Sequence, residues 1–228
     1  MKEIIKKTKC CGCNACGDVC PKGAITFKTD KEGFWYPEIN QNLCIDCGLC
    51  QKTCPVLTKA DNVIRYDEPL VYAAYTKDEA IRTDSTSGGI HSMLALAMYE
   101  QNAYIGGAIY NKDHTVRHIV SPDHQLLPEI RSSKYLQSSM EGVYKEVRDL
   151  LKAGEKVFFC GAPCQIQGLY KFLRKEYDNL ITCDFICRGV NSPKVFLSYM
   201  DMLEKQYGSK ATQIKFKNKK WGWHNFSM

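Results

Sequence analysis

Residues 10–21 read CCGCNACGDVCP, and residues 44–55 read CIDCGLCQKTCP. In both runs the cysteines follow the spacing C-x2-C-x2-C-x3-C, and a proline comes directly after the last one. Bacterial ferredoxins hold two [4Fe–4S] clusters with this spacing, and the fourth cysteine of each run binds the other cluster. The sequence therefore predicts two [4Fe–4S] clusters near its beginning. The predicted function of these clusters is single-electron transfer.

By this crossing rule the eight predicted metal ligands divide into two sets of four. The first cluster takes three cysteines of the first run and the last one of the second run: Cys10, Cys13, Cys16 and Cys54. The second cluster takes the converse set: Cys44, Cys47, Cys50 and Cys20. We expect each fourth cysteine at the start of a helix, and we expect residues 24–27 and 34–37 to form a short hairpin between the runs.

Other uses of these cysteines fit the spacing poorly. A zinc site takes four ligands in two C-x2-C pairs, not two runs of four that each end in proline. A disulfide framework needs an oxidising compartment, and the basic start of the chain has no apolar signal segment. We therefore expect a cytoplasmic protein without a transmembrane segment, from an anaerobic setting because exposed clusters are sensitive to oxygen. The extra thiol, Cys11, is interpreted as a filler or a solvent-facing residue.

The composition indicates a soluble globular chain with room for two units. It has 228 residues, of which 44% are hydrophobic and 25% are charged. The predicted domains are a ferredoxin-like dicluster domain at 1–58, a linker at 59–70 and an α/β domain at 71–228. The first domain is too small for a large hydrophobic core and relies on its metal to fold.

The net charge does not indicate a nucleic-acid partner. The formal charge is +6, and two oxidised clusters with their thiolates remove about 4 units of it. A basic stretch stands near the end of the chain: Lys215, Lys217, Lys219 and Lys220. We interpret this stretch as the solvated face of a strand, with Ile214 and Phe216 pointing inward.

Strand and helix patterns alternate through the second domain. The predicted strands are 71–76, 103–110, 115–120, 156–160, 180–186 and 212–217. The predicted helices are 90–101, 143–151, 163–173 and 193–207. The alternation favours a largely parallel sheet, so the predicted fold class is α+β, with the small dicluster domain followed by an α/β domain. In such sheets, ligands bind beyond the carboxyl ends of the strands.

Three loops of the second domain are candidate ligand sites. The segment Ser85-Thr86-Ser87-Gly88-Gly89 precedes a helix, and its amides and hydroxyls suit a pyrophosphate and equally suit a plain helix cap. In the turn from Gly161 to Gln165, Pro163 starts a helix and Cys164 lies in its first turn, where the helix dipole favours the thiolate. The third loop, 187–190, directly follows a strand.

Four cysteines of the second domain lie outside the two runs. Cys160 and Cys183 are interpreted as small core residues, because unpaired cysteines are commonly buried. Cys164 and Cys187 have three open roles: contact with a flavin, ligation of further iron, or action as a redox pair.

Four segments together resemble the beta subunits of coenzyme F420 hydrogenases and dehydrogenases. They are 85–90 (STSGGI), 133–138 (SKYLQS), 159–166 (FCGAPCQI) and 184–193 (DFICRGVNSP). The likeness covers essentially the whole chain, and the dicluster domain is common in bacterial relatives. His91 and Arg188 depart from the family pattern, which often has an aromatic residue and a histidine there. Family members extend beyond this length, so we expect the chain to be incomplete at its C-terminus.

The resemblance implies a flavoprotein, because family members bind FAD in the α/β domain and pass electrons between a two-electron donor and iron–sulfur clusters. Ser87, Gly88 and Gly89 would approach the FAD phosphates. Carried over residue by residue, the cofactor-binding positions are Ser85, Thr86, Ser87, Gly88, Gly89, Lys134, Tyr135, Gly161, Pro163, Cys164 and Gln165. The candidate catalytic residues are Lys134, Cys164 and Cys187.

Two functional hypotheses follow from the sequence. The first is an oxidoreductase that moves electrons between a hydride donor, through FAD, and the two clusters. The alternative is a non-catalytic electron-carrier subunit whose α/β domain docks a partner oxidoreductase. In both cases the protein partner is a ferredoxin or another oxidoreductase subunit. Coenzyme F420, a nicotinamide, a quinol and reduced ferredoxin all remain open as the small-molecule or protein donor.

The dicluster prediction is tested by elemental analysis of anaerobically isolated protein. We expect about eight iron atoms and about eight acid-labile sulfide ions per chain, because each cubane holds four of each. Stoichiometric zinc, or disulfide-bonded cysteines in the two runs, would contradict the prediction.

Overall fold

The computed structural model of the chain describes residues 3–58 and 67–228. The predicted linker at 59–70 therefore lies largely outside the described residues. Across the described residues, no helix has the length and apolar character that crossing a bilayer requires.

The N-terminal unit contains two short helices and one hairpin. Its elements are α1 (Ala15–Val19), β1 (Ile25–Thr29), β2 (Trp35–Ile39) and α2 (Leu49–Thr53). Strands β1 and β2 pair antiparallel, which confirms the predicted hairpin.

The fourth cysteines do not start helices, so that prediction is wrong. Cys20 follows the end of α1 and Cys54 follows the end of α2. The helices begin earlier because Asn14 and Gly48 adopt left-handed backbone conformations, with φ of 64° and 72°. Asparagine and glycine tolerate this conformation best, so the turn into each helix lies directly after the second cysteine of its run.

The second unit is built around one five-stranded sheet. Its helices are α3 (Glu79–Asp84), α4 (Ile90–Tyr99), α5 (Leu127–Ile130), α6 (Val143–Lys152), α7 (Pro163–Leu173) and α8 (Pro193–Tyr207). Its strands are β3 (Tyr104–Tyr110), β4 (Val116–Ser121), β5 (Ser138–Ser139), β6 (Val157–Gly161) and β7 (Leu180–Asp184). The strand order is β5-β4-β3-β6-β7. Only β3 and β4 pair antiparallel, so the largely parallel sheet and the predicted fold class are confirmed.

Strand β6 shows how the sheet is buried on both faces. Neighbouring residues of a strand point to opposite sides, and Phe158 and Phe159 accordingly join different cores. Phe159 packs in a core with Tyr144 of α6 and Leu169 of α7. Phe158 packs on the other side with Ala95 of α4. The domain therefore has helices on both faces of its sheet, as expected for parallel strands.

Two predicted strands are absent from the described residues that cover them. Residues 71–76 form no strand, and Val71 is 88% exposed. Residues 212–217 form no strand either; instead, the Phe216 ring packs on Phe196 and Tyr135, with centroids 5.6 and 5.3 Å away. Both segments have strand-like composition, but neither lies along an edge of the sheet where it would find hydrogen-bond partners.

Side chains of the first unit bond directly to the second. The Asp18 carboxylate accepts hydrogen bonds from the backbone N–H groups of Gly142 and Tyr144, at 2.8 and 3.0 Å, and so caps the start of α6. The Gln137 side chain both donates to and accepts from the backbone of Trp35, each at 2.8 Å. These contacts join residues more than 100 positions apart, so the two units share one framework.

Tyr144 is fully buried at the centre of this junction. Its hydroxyl lies 2.7 Å from the carbonyl oxygen of Cys13 and 3.1 Å from that of Gln165. Close approach of the first cysteine run to α7 depends on Gly168, because a Cβ there would lie 3.3 Å from the Cys13 sulfur.

We expect Tyr144→Phe to lower the free energy of unfolding by about 1–3 kcal/mol, because the buried carbonyls of Cys13 and Gln165 lose the single hydroxyl proton that they share. Anaerobic equilibrium unfolding in urea measures this. Tyr170→Phe is the matched control, because its hydroxyl bonds to the partly buried Thr182 hydroxyl on the far side of the helix and should cost less than about 1 kcal/mol. Equal losses in the two variants would contradict a special role for the junction.

Candidate functional site

The thiols of the two cysteine runs surround two cavities in the first unit. One cavity is lined by Cys10, Cys11, Cys13, Cys16 and Cys54, together with apolar residues. The other is lined by Cys20, Cys44, Cys47 and Cys50. Each cavity thus gathers the first three motif cysteines of one run and the last cysteine of the other, and the first cavity also contains the extra thiol, Cys11. This arrangement fits the crossing rule, and the assignment of ligands to individual clusters stays a prediction.

The donor set suits a cubane cluster better than a single ion. Each cavity gathers four motif thiols, the donor set of one [4Fe–4S] cluster. A zinc ion needs its sulfurs about 2.3 Å from one point, whereas a cubane places its four irons at separate corners. Burial raises the pKa of the Cys16 and Cys50 thiols, so iron must offset the cost of their deprotonation.

The two cavities have different surroundings. Cys13, in the first cavity, belongs to the hydrophobic core of the α/β domain together with Leu169 of α7. At the second cavity, Cys47 is exposed and the side chains of Leu43 and Ile45 are about half exposed, at 49% and 57%. The first cavity therefore faces the α/β domain, and the second faces solvent.

The four segments on which the family resemblance rests lie together at the end of the sheet where β3, β6 and β7 have their carboxyl ends. The Ser133 N–H donates to the Thr86 hydroxyl at 2.9 Å, and the Ser132 hydroxyl donates to the Asp84 carbonyl at 2.8 Å. The Gln137 N–H donates to the Asn191 carbonyl at 3.0 Å. The structure thus places these loops where the ligand of a parallel sheet is expected.

The Ser85–Gly89 loop is partly engaged within the protein. The Ser85 hydroxyl donates to the Ile81 carbonyl at 2.7 Å, while Ser87 is exposed. Gly89 starts α4 with φ of 83° and has no side chain with which to cap the first amides. A Cβ at Gly89 would lie 2.7 Å from the Thr76 side chain, so glycine is required there.

Lys134 is held rigidly beside these loops. Its ammonium group donates to the carbonyls of Ile130, Arg131 and Ser132 at 3.2–3.3 Å, which fixes the end of α5. Burial lowers the pKa of Lys134 to about 8. The neighbouring Tyr135 packs edge-on against Phe216.

The Gly161–Gln165 turn is organised by Gln165. Its side-chain oxygen accepts from the Ala162 N–H at 2.8 Å, and its amide donates to the Ser138 hydroxyl at 2.9 Å. Ser138 in turn bonds to His118 Nδ1 at 3.0 Å, and burial lowers the pKa of His118 to about 3, so this histidine is neutral. As predicted, Pro163 is the first residue of α7.

Cys164 connects this turn to the first thiol cavity. Its sulfur lies 4.0 Å from the backbone oxygen of Cys11. The Cys11 thiol, burial and the nearby Cys187 raise the pKa of Cys164. Burial and the Cys11 thiol thus oppose the effect of the helix dipole at Cys164, and the thiolate there stays a prediction.

The other two cysteines form a second pair. Cys160 and Cys183 are directly opposite each other on the parallel strands β6 and β7. Both are half-buried, and Cys183 packs against the core that contains Phe158, so the interpretation as small core residues is confirmed only in part. Sequence spacing gives no sign of this pairing, because it depends on the register of two separate strands.

The basic stretch also departs from its prediction. Lys215 forms an ion pair with Asp84 at 2.6 Å, and Asp84 also pairs with Arg131 at 2.7 Å. Lys219 donates to the carbonyls of Arg82 and Ser87. The interpretation as a solvated strand face is wrong for these lysines, because they fold back over the Ser85–Gly89 loop.

Two segments of the chain match known protein families. Residues 9–58 match the 4Fe-4S dicluster domain. Residues 154–228 match the family described as the C-terminal part of the beta subunit of coenzyme F420 hydrogenase/dehydrogenase.

Relatives of known name match over most of the chain. A coenzyme F420-dependent sulfite reductase of Methanocaldococcus jannaschii is 29% identical over 75% of this chain and 26% of its own length. One subunit of the F(420)H(2) dehydrogenase of Methanosarcina mazei is 23% identical over 72% of this chain and 49% of its own length. The chain thus spans about a quarter and about half of the lengths of these relatives.

One solved structure is similar at a low level. It is the F420-reducing [NiFe] hydrogenase complex of Methanosarcina barkeri, with 20% identity, a TM-score of 0.46, and coverage of 62% of this chain and 51% of the other. That superposition is too weak to support an argument about function. The sequence matches do confirm the predicted resemblance of this chain to the beta subunits of coenzyme F420 hydrogenases and dehydrogenases, with an N-terminal 4Fe-4S dicluster domain.

Proposed function

We propose that this protein is an iron–sulfur flavoprotein that moves electrons between a hydride donor, through FAD, and two [4Fe–4S] clusters. One observation carries the proposal: the first thiol cavity is built onto the same turn that forms the candidate ligand site. The Cys164 sulfur of that turn lies 4.0 Å from the backbone oxygen of Cys11 at the cavity, and the Tyr144 hydroxyl lies within hydrogen-bond distance of the carbonyls of Cys13 and Gln165. A ligand beside the Gly161–Gln165 turn would therefore lie next to the first cluster.

The residues at the sheet edge fit a dinucleotide flavin. When bound, FAD supplies the ability to take two electrons as a hydride and to release them one at a time. The Ser85–Gly89 loop offers the uncapped amides of α4 to its phosphates. Lys134 and the Gly161–Gln165 turn would flank its ring. Cys187 lies close enough to Cys164 to raise its pKa. It would therefore lie at the same side of the bound flavin.

The two clusters have an order in this proposal. The first cluster, ligated by Cys10, Cys13, Cys16 and Cys54, would exchange electrons with the flavin, because Cys13 packs in the core of the α/β domain. The second cluster, ligated by Cys44, Cys47, Cys50 and Cys20, would exchange electrons with a protein partner, because its cavity faces solvent. Leu43 and Ile45 give that face the apolar character of a docking surface.

The names of the relatives favour a particular hydride donor. A coenzyme F420-dependent sulfite reductase and a subunit of an F(420)H(2) dehydrogenase both match this chain. We therefore propose reduced coenzyme F420 as the first donor to test, and another subunit of an oxidoreductase complex as the partner. A cytoplasmic location and an anaerobic setting belong to the same proposal.

A second candidate function is a flavin-free electron-carrier subunit. The observation in its favour is that several predicted flavin contacts are already engaged within the protein. Lys134 bonds to three carbonyls, and the hydroxyls of Ser85 and Thr86 bond to the backbone. In this role the α/β domain would only hold the dicluster domain against its partner.

Reconstitution separates the two candidates. We expect protein isolated anaerobically with FAD present to retain a flavin band beside the cluster absorbance, and reduced coenzyme F420 to bleach that band before the clusters are reduced. The measurement is anaerobic optical titration with each donor in turn. Clusters without flavin would support the carrier function, and bound flavin that no donor bleaches would remove the main support for an enzyme.

The order of the clusters gives a prediction for Cys47→Ser. Loss of a ligand to the second cluster should leave donor-driven reduction of one cluster intact, measured by electron paramagnetic resonance, and slow reduction of an external acceptor protein by at least about tenfold. Lys52→Gln, an exposed change on α2, is the control and should leave both rates unchanged. Full reduction of the acceptor by Cys47→Ser would contradict the proposed exit through the second cluster.

A further inference from the structure

The basic stretch near the chain end lies against the Ser85–Gly89 loop. The Lys219 ammonium donates to the carbonyl oxygen of Ser87 at 2.9 Å and to that of Arg82 at 2.8 Å. Lys219 is partly buried, with its ammonium 4.5 Å from the centre of the Trp223 ring. Two carbonyls and a ring therefore hold this positive charge at one place on the loop.

Positive charge exceeds negative charge around this loop. Asp84 is shared by two cations, Arg131 and Lys215. In the described part of the chain, the polar partners of Lys219 are the two carbonyls, and no ion pair with a carboxylate is formed. Burial and the positive charges of Lys215 and Arg82 lower the pKa of Lys219. Cations held this close repel one another unless an anion lies among them.

We propose that Lys219 binds the diphosphate group of a dinucleotide at the Ser85–Gly89 loop. The inference rests on the proposed FAD function and extends it by assigning the phosphate-binding cation to the far end of the chain. A lysine has three N–H donors, and the two carbonyls use two of Lys219's, which leaves one for a phosphate oxygen. Ser87 is exposed, so a phosphate can reach the loop from its side, while Gly88 is half-buried and Gly89 is buried.

An ion pair between Lys219 and a phosphate would also give the basic stretch near the chain end a function. Phe216 packs on Tyr135 and Phe196, and Lys215 pairs with Asp84. These contacts anchor the segment on both sides of the candidate site without a strand. These contacts also fix the position of Lys219 relative to the Ser85–Gly89 loop.

Binding of FAD to the cluster-loaded protein tests the assignment, with dissociation constants taken from quenching of flavin fluorescence at several salt concentrations. Lys219→Gln should weaken FAD binding by about tenfold or more, because a charge-assisted hydrogen bond is lost. It should also flatten the dependence of affinity on salt, which a merely structural loss would not change. Lys219→Arg should retain affinity within about threefold. Lys220→Gln removes the exposed neighbouring charge and should change affinity less than about twofold.

The outcomes separate the inference from the function on which it rests. If the unmodified protein binds FAD and Lys219→Gln binds it equally well with the same salt dependence, the role of Lys219 is overturned and the flavoprotein proposal stands. If the unmodified protein binds no FAD, the flavoprotein proposal fails. In that case the anion site is tested with inorganic pyrophosphate, measured as protection against thermal unfolding. If pyrophosphate protects the unmodified protein but not Lys219→Gln, the anion site is supported. If it protects neither protein, or both equally, the anion site is overturned.

Discussion

The structure depends on the burial of the first cysteine run against α6 and α7. A unit of this size cannot bury enough apolar surface by itself, and here Cys13 and Ala15 complete the core of the neighbouring domain. Burial raises the pKa of Asp18, and the two backbone hydrogen bonds that its carboxylate accepts at the start of α6 offset that cost. The cluster domain is thereby fixed to the sheet by direct contacts between side chains and backbone.

The cysteines and the alternating elements were predictable because their signals are local. Cluster ligation fixes the spacing of each run, and the faces of α6 and α7 repeat every three or four residues. The contacts between the two units had no local signal of this kind in the sequence. Asn14, Gln137 and Tyr144 are ordinary polar or aromatic residues in the sequence, and their importance arises only when residues more than 100 positions apart meet.

The two predicted strands that are absent show a second limit of prediction from the sequence. Residues 71–76 and 212–217 carry the β-branched and aromatic residues typical of strands, but a strand also needs backbone partners. The edge strands of the sheet are β5, only two residues long, and β7, and neither segment pairs with them. The later segment is instead fixed by its side chains, and that is why its lysines reach the Ser85–Gly89 loop. The candidate site could therefore be located from the sequence, but its basic side could not.

Charge explains why such a basic segment suits a protein of this kind. The chain carries a formal charge of +6, and two oxidised clusters with their thiolates bring about −4. A dinucleotide diphosphate would bring about two further negative charges. Because the clusters lie in the first unit and the lysines of the basic stretch lie over the Ser85–Gly89 loop, the positive excess is concentrated away from the clusters. An anion at that loop, and not nucleic acid along an extended surface, is the partner that this distribution of charge fits.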